Sequence, residues 1–199
     1  MNRITPAEAA IRERVACEGR ITFRDFMEMA LYTAPGSYYG SSLEAIGARG
    51  DYFTSPEVHP SFGALLARQV EQAWVAMGRP DRFTLIEMGA GTGSLARDLL
   101  AYAARWSPSF HRAIHYAIVE RAPAPADLQA RTLAEHDPCA AKVAWYPSLD
   151  AVAEPRSVEG CILSNELLDS FPVHRVVVEG GRLREVYLKV RAGRLVEDL

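Results

Sequence analysis

The sequence predicts an α/β protein built on a doubly wound, mostly parallel sheet, with a helical extension ahead of it and an antiparallel β meander behind. Three observations carry that expectation. Between Phe83 and Leu163 short apolar runs alternate with amphipathic helical segments, the pattern of parallel strands joined by helical crossovers. The turn Gly89-Ala90-Gly91-Thr92-Gly93 follows the first of these runs and opens a helix. After His174 the pattern becomes a strand-like alternation broken at Gly180-Gly181 and Ala192-Gly193, which reads as two or three strands joined by tight turns.

Element by element, Thr5-Pro6-Ala7-Glu8 is a capping box with proline at the first helical position, so a helix should run from Pro6 to about Glu18 and stop at Gly19. Thr22 starts a second helix carrying Phe23, Phe26, Met27, Ala30 and Leu31, which "TAPGSYYG" breaks,. From Ser41 to His59 no period holds, and a loop of that length is more often functional than idle,. Phe62, Leu65, Leu66, Val70, Ala73, Trp74 and Met77 mark one helical face, closed by Gly78,. Strands are expected at 83–88, 116–119, 143–146 and 161–163, with helices at 94–104 and 126–135 between them. The implied division is 1–80 for the helices and a cofactor-covering loop, 81–174 for the sheet core, and 175–199 for an incomplete meander.

Composition narrows the function. Hydrophobic residues make up 49% and charged residues 24% of the 199 positions, values of an ordinary globular protein. A formal net charge of -3 argues against a general nucleic-acid binder, which carries a basic stripe. Cys17, Cys139 and Cys161 match no zinc spacing and form no CxxC pair, so no metal site and a reducing compartment are expected. The start lacks a continuous apolar segment, and no run is long enough to span a membrane,. These features predict a cytosolic protein.

The glycine turn departs from the dinucleotide fingerprint: the third glycine, Gly93, comes one residue early, and Ser94 holds its place,. Glu87, two residues before Gly89, is expected to aim at the mouth of the turn, where a carboxylate repels a diphosphate and suits an ammonium or sulfonium charge,. Glu120, at the end of the next strand, can accept hydrogen bonds from both hydroxyls of a ribose,. Acid, three alternate glycines and a second acid resemble the class I methyltransferases, whose cofactor is S-adenosyl-L-methionine. An ordinary tight turn and a solvated strand-end carboxylate are the structural alternatives.

The fourth strand ends in "SNELLDSFP", and ligands of open α/β sheets bind outside the carboxyl ends of the strands. Asn165, Glu166 and Asp169 are therefore candidates for the reacting site, Glu166 and Asp169 sharing a face if the segment turns helically. Two carboxylates suit a cation such as a guanidinium, which they would fix by charge-assisted hydrogen bonds; a capped short helix is the alternative. In "GDYFTSPEVHP" Ser55 is expected to cap a turn with Pro56 at its first position,. The functional reading has that loop covering the cofactor, with polar contacts from Thr54, Ser55 and Glu57 and an apolar wall from Tyr52 or Phe53. His59 and His174 are not expected to be ligands or bases.

Together, "GDYFTSPEVHPSFG", "LIEMGAGTGSLARDLL", "WYPSLD" and "SNELLDSFPVHR" resemble, in that order, the MidA family, which includes a mitochondrial complex I assembly factor. The resemblance runs from about Ile21 to Val190. It implies a Rossmann-like class I methyltransferase fold and S-adenosyl-L-methionine as cofactor, held at Glu87, Gly89, Ala90, Gly91, Thr92, Gly93 and Glu120. It also implies an acceptor pocket using Glu57, Asn165, Glu166 and Asp169. The implied activity is protein arginine methylation, with a subunit of a complex I-type NADH–quinone oxidoreductase as partner. Location would be cytoplasmic in a bacterium and the mitochondrial matrix in a eukaryote. Family members continue well past the point where this chain ends, so a C-terminally shortened chain is expected. Methyl transfer to another acceptor and a non-catalytic, cofactor-binding assembly factor are the alternatives.

Overall fold

The computed structural model describes residues 4–41, 54–121, 123–135, 140–152 and 158–199. They form two compact units, one of Met1–Leu43 with Leu168–Leu199, the other of Glu44–Leu167. The first unit opens with α1 (Pro6–Glu18), whose cap Thr5 accepts from the Glu8 amide at 3.1 Å and whose end is Gly19 at φ 81°. Only half of the capping box forms, because the Glu8 carboxylate turns instead to Arg12 one helical turn on. After β1 (Ile21–Thr22), Thr22 caps α2 (Phe23–Glu28), accepting from Asp25. The helix widens into a π turn over Met29–Thr33, closed by the Ala34 amide on the Met29 carbonyl. A short α3 (Tyr38–Ser41) follows, where the sequence predicts only a break.

The second unit holds α4 (Ser55–Val58), α5 (Ser61–Ala76), β2 (Phe83–Met88), α6 (Ser94–Trp106), α7 (Pro108–Ala113), β3 (Ile114–Val119), α8 (Pro123–Ala134), β4 (Val143–Tyr146) and β5 (Gly160–Ser164). The strands form one parallel sheet in the order β4-β3-β2-β5. The chain winds outward from β2 to β4, then returns to the far side of β2, so the direction of winding switches between β2 and β5. Alternation on β2 sends Phe83 and Leu85 into a core with Val70 and Trp74 of α5, Leu99 and Leu100 of α6, and Ile114, Tyr116 and Ile118 of β3. Ile86 and Ala117 are buried on the opposite face, as central parallel strands require.

The meander expected after His174 is two hairpins instead. β6 (Val176–Glu179) pairs with β7 (Arg182–Glu185), and β8 (Tyr187–Arg191) with β9 (Arg194–Asp198), turning at the two predicted glycine sites. Between them Val186 donates to the Arg175 carbonyl and accepts from the Phe23 amide, so the chain changes partner there and β8 pairs with β1. Ile11, Val15, Ile21 and Leu188 form this unit's core. No helix among the described residues is long and apolar enough to cross a membrane.

Candidate functional site

Register builds the site. Met88 pairs with Val119 on one side and Ser164 on the other. The next residues of each strand, Gly89, Glu120 and Asn165, therefore leave the sheet side by side at its carboxyl edge, flanking the switch in winding where such sheets bind ligands. Gly89, Gly91 and Gly93 all take left-handed backbone at φ 69°, 55° and 86°, which side-chain-bearing residues adopt only at a cost. Space adds a second reason. A Cβ on Gly89 would lie 2.8 Å from Leu167 Cδ1, and one on Gly93 would lie 3.1 Å from the Gln129 Cα. The early third glycine thus admits the backbone of α8 close to the turn.

Glu87 is not aimed at an open mouth as the sequence predicts. Its carboxylate is buried, and Oε2 accepts from the Tyr116 hydroxyl at 2.6 Å. Burial pushes its pKa up from 4.5 to about 7, outweighing the Tyr116 bond that lowers it,. The Tyr116 hydroxyl is driven well above its ordinary range by burial and the neighbouring carboxylate.

Two side chains tie other elements to the turn. Thr92 donates its hydroxyl to Glu57 of α4 and lies 2.9 Å from the Ser94 hydroxyl. Glu57 is thereby brought to the glycine turn. Gln129 of α8, fully buried, donates from Nε2 to the Gly91 carbonyl at 3.1 Å and to Glu120 Oε2 at 3.2 Å, while its Oε1 accepts from Trp145 Nε1 at 2.9 Å. Sequence reasoning missed Gln129, Trp145 and Tyr116. One clue to Gln129 was available: it stands four residues before Leu133, another fully buried residue, and a polar residue on the core face of a helix needs partners.

Asn165 and Glu166 form a bend directly after β5. Glu166 is exposed and takes left-handed backbone at φ 52°, which is rare for a residue bearing a Cβ and gathers at functional sites. The segment does not turn helically from Glu166: its 3-10 turn begins at Leu168, and Asp169, in that turn, belongs to the other unit. Sequence spacing alone relates the two carboxylates. Thr54, not Ser55, is the cap residue of α4, with its carbonyl accepting from the Glu57 amide. Tyr52 and Phe53 lie outside the described residues. His59 accepts from the Ser61 amide in a local turn, and His174 sits against Glu185.

Residues 65–198 match the family described as "Putative S-adenosyl-L-methionine-dependent methyltransferase". The chain belongs to this family, the MidA methyltransferases. It is 30% identical over 95% of its length to a mouse mitochondrial protein named protein arginine methyltransferase NDUFAF7, and 28% identical over 90% to the Drosophila melanogaster homolog. It covers 47% and 44% of those proteins, so it spans about half the length of the curated relatives it matches. A Burkholderia thailandensis COG1565 superfamily protein, crystallised with S-adenosyl-homocysteine, superposes with a TM-score of 0.81 at 34% identity, covering 96% of this chain and 49% of that one. Membership of this family of S-adenosyl-L-methionine-dependent enzymes agrees with the reading of the glycine turn and with the parallel sheet.

Proposed function

We propose that the protein is a protein-arginine N-methyltransferase that uses S-adenosyl-L-methionine and acts on a subunit of a complex I-type NADH–quinone oxidoreductase. One observation carries the reading: the glycine turn, the strand-end carboxylate Glu120 and the bend Asn165-Glu166 leave three adjacent strands at one sheet edge. The arginine acceptor and the complex I partner are supported by the names and family of the relatives. Those names place the relatives in mitochondria; the site of action proposed here is the matrix for a eukaryotic chain and the cytoplasm for a bacterial one.

The residues suit the cofactor. Glu120, steadied by Gln129, would accept from the ribose hydroxyls, and the turn from Gly89 to Gly93, backed by Glu57 through Thr92, carries no side chain at the three positions where backbone would approach a ligand. Ser55 opens the short helix that carries Glu57, and Thr54 is its cap residue. When bound, the cofactor supplies an electrophilic methyl on a sulfonium. Glu87, once ionised, offers a negative charge next to the turn that favours a cationic ligand over a diphosphate.

Asn165 and Glu166 serve the acceptor, and Asp169 joins them on sequence grounds. A guanidinium is protonated at physiological pH, so a carboxylate must hold its fork and turn one nitrogen toward the methyl. At about 4 Å such a pair gains roughly 4 kcal/mol at an effective dielectric near 20. Alignment of the reacting atoms contributes up to about 7 to 11 kcal/mol. Positioning is the main task left to the protein, because the leaving group is already charged.

Incubation with methyl-labelled cofactor and an arginine-containing complex I subunit tests the reading. Label on arginine supports it; label on another residue favours a different acceptor, and cofactor binding without transfer a non-catalytic assembly factor. Glu120→Ala should weaken cofactor binding about ten-fold or more, whereas Glu166→Ala should keep binding and abolish transfer. Equal loss of binding in both would remove the division between cofactor and acceptor sides.

A further inference from the structure

We infer that Gln129 is a positioning residue that sets the cofactor's ribose selectivity, by locking Glu120 to the glycine turn through an amide that Trp145 holds in one orientation. The inference rests on the cofactor site proposed above. Its starting point is a polar side chain with no exposed surface, in the middle of α8, with every partner identified. An indole N–H can only donate. Trp145 Nε1 therefore requires the amide oxygen of Gln129 on its side, and the amide nitrogen must face the other way. There its two hydrogens meet two acceptors, the Gly91 carbonyl and Glu120 Oε2. The assignment of nitrogen and oxygen follows from the chemistry of the three partners.

The consequence is mechanical. Glu120 is the first residue past β3, and its amide donates to the Tyr146 carbonyl. The Gln129 bond restricts rotation of the carboxylate about its side-chain bonds and so lowers the ordering cost that a ribose diol meets on binding. With Gln129 the carboxylate and the Gly91 carbonyl share one donor group, so both sides of the nucleoside pocket keep a fixed separation. Gly93 is part of the same device, since only a residue without a Cβ lets the Gln129 backbone come this near the turn.

Calorimetric titration of the full chain with S-adenosylhomocysteine and with its 2′-deoxy analogue tests this. The wild-type protein should prefer the hydroxylated compound by about ten-fold, the scale of a charge-assisted hydrogen bond. Gln129→Met, which keeps the volume and removes the donors, should bind S-adenosylhomocysteine about ten-fold more weakly while binding the deoxy compound nearly as before, so that the preference collapses. Trp145→Phe, which frees the amide to flip without touching it, should narrow the preference in the same direction by a smaller factor and covers the case of a Gln129 variant that does not fold. In a Glu120→Ala background Gln129→Met should add little further loss. A preference unchanged in both variants, or an equal loss for both compounds, overturns the role of Gln129 and leaves the methyltransferase reading standing. Failure of the wild-type protein to bind S-adenosylhomocysteine overturns both.

Discussion

Glu87 is the side chain whose surroundings most alter its chemistry. In the unfolded chain it ionises near 4.5, and in the folded chain near 7. Between those values the folded state binds the extra proton, so this group's contribution to stability is fully present below about pH 4.5 and is lost as pH rises through about 7,. A cationic cofactor has the opposite preference, for the ionised form. Binding should therefore release a proton below about pH 7, and affinity should rise about ten-fold from roughly pH 6 to roughly pH 8. Glu87→Gln should flatten that profile, as calorimetry in buffers of different ionisation enthalpy would register. A slope that survives the substitution assigns the proton to another group. Glu166 shows the other way a residue is made special: nothing in its side chain announces a left-handed backbone, which the departure from β5 imposes.

At the scale of elements, the contact between β2 and β5 is what brings the glycine turn beside the acceptor bend. It depends on Gly160, where an added Cβ would stand 1.8 Å from the Thr84 carbonyl oxygen. No side chain can yield there, because the obstacle is the backbone of the neighbouring strand. Gly160→Ala should force the two strands apart at their amino ends and cost about 2 to 3 kcal/mol, a fall of roughly 5 to 10 °C in thermal midpoint for a chain of this size. Circular dichroism melting measures it, and an unchanged midpoint would mean that the strands do not approach as described. The ends of α1 and the start of α2 were legible without any tertiary contact. Thr5, Gly19 and Thr22 act within a turn of their own positions, and local hydrogen bonds obey local rules.

On the scale of the whole molecule, the exposed apolar surface is the notable remainder. β5 pairs only with β2 among the described strands. Its Ile162 is 56% exposed, while its register partner Ile86 on the same face is 1% exposed. Val178 and Leu183 of the β6–β7 hairpin are likewise open, at 74% and 71%. Unpaired strand edges with apolar faces favour self-association, so sedimentation should show concentration-dependent oligomers, reduced by Ile162→Lys. A monomer at all concentrations would mean that this edge is not adhesive. The sequence by itself determined the caps of α1 and α2, the alternating strands and helices of the parallel core and the glycine turn with its flanking acids, because periodicity, capping and turn chemistry act over a few residues. Tertiary structure alone decided the rest. It paired β1 with β8 from opposite ends of the chain, sealed Glu87 under Tyr116, and set Gln129 between Gly91, Glu120 and Trp145. Those contacts join residues far apart in sequence, and their worth comes from burial, which a linear string of residues does not display.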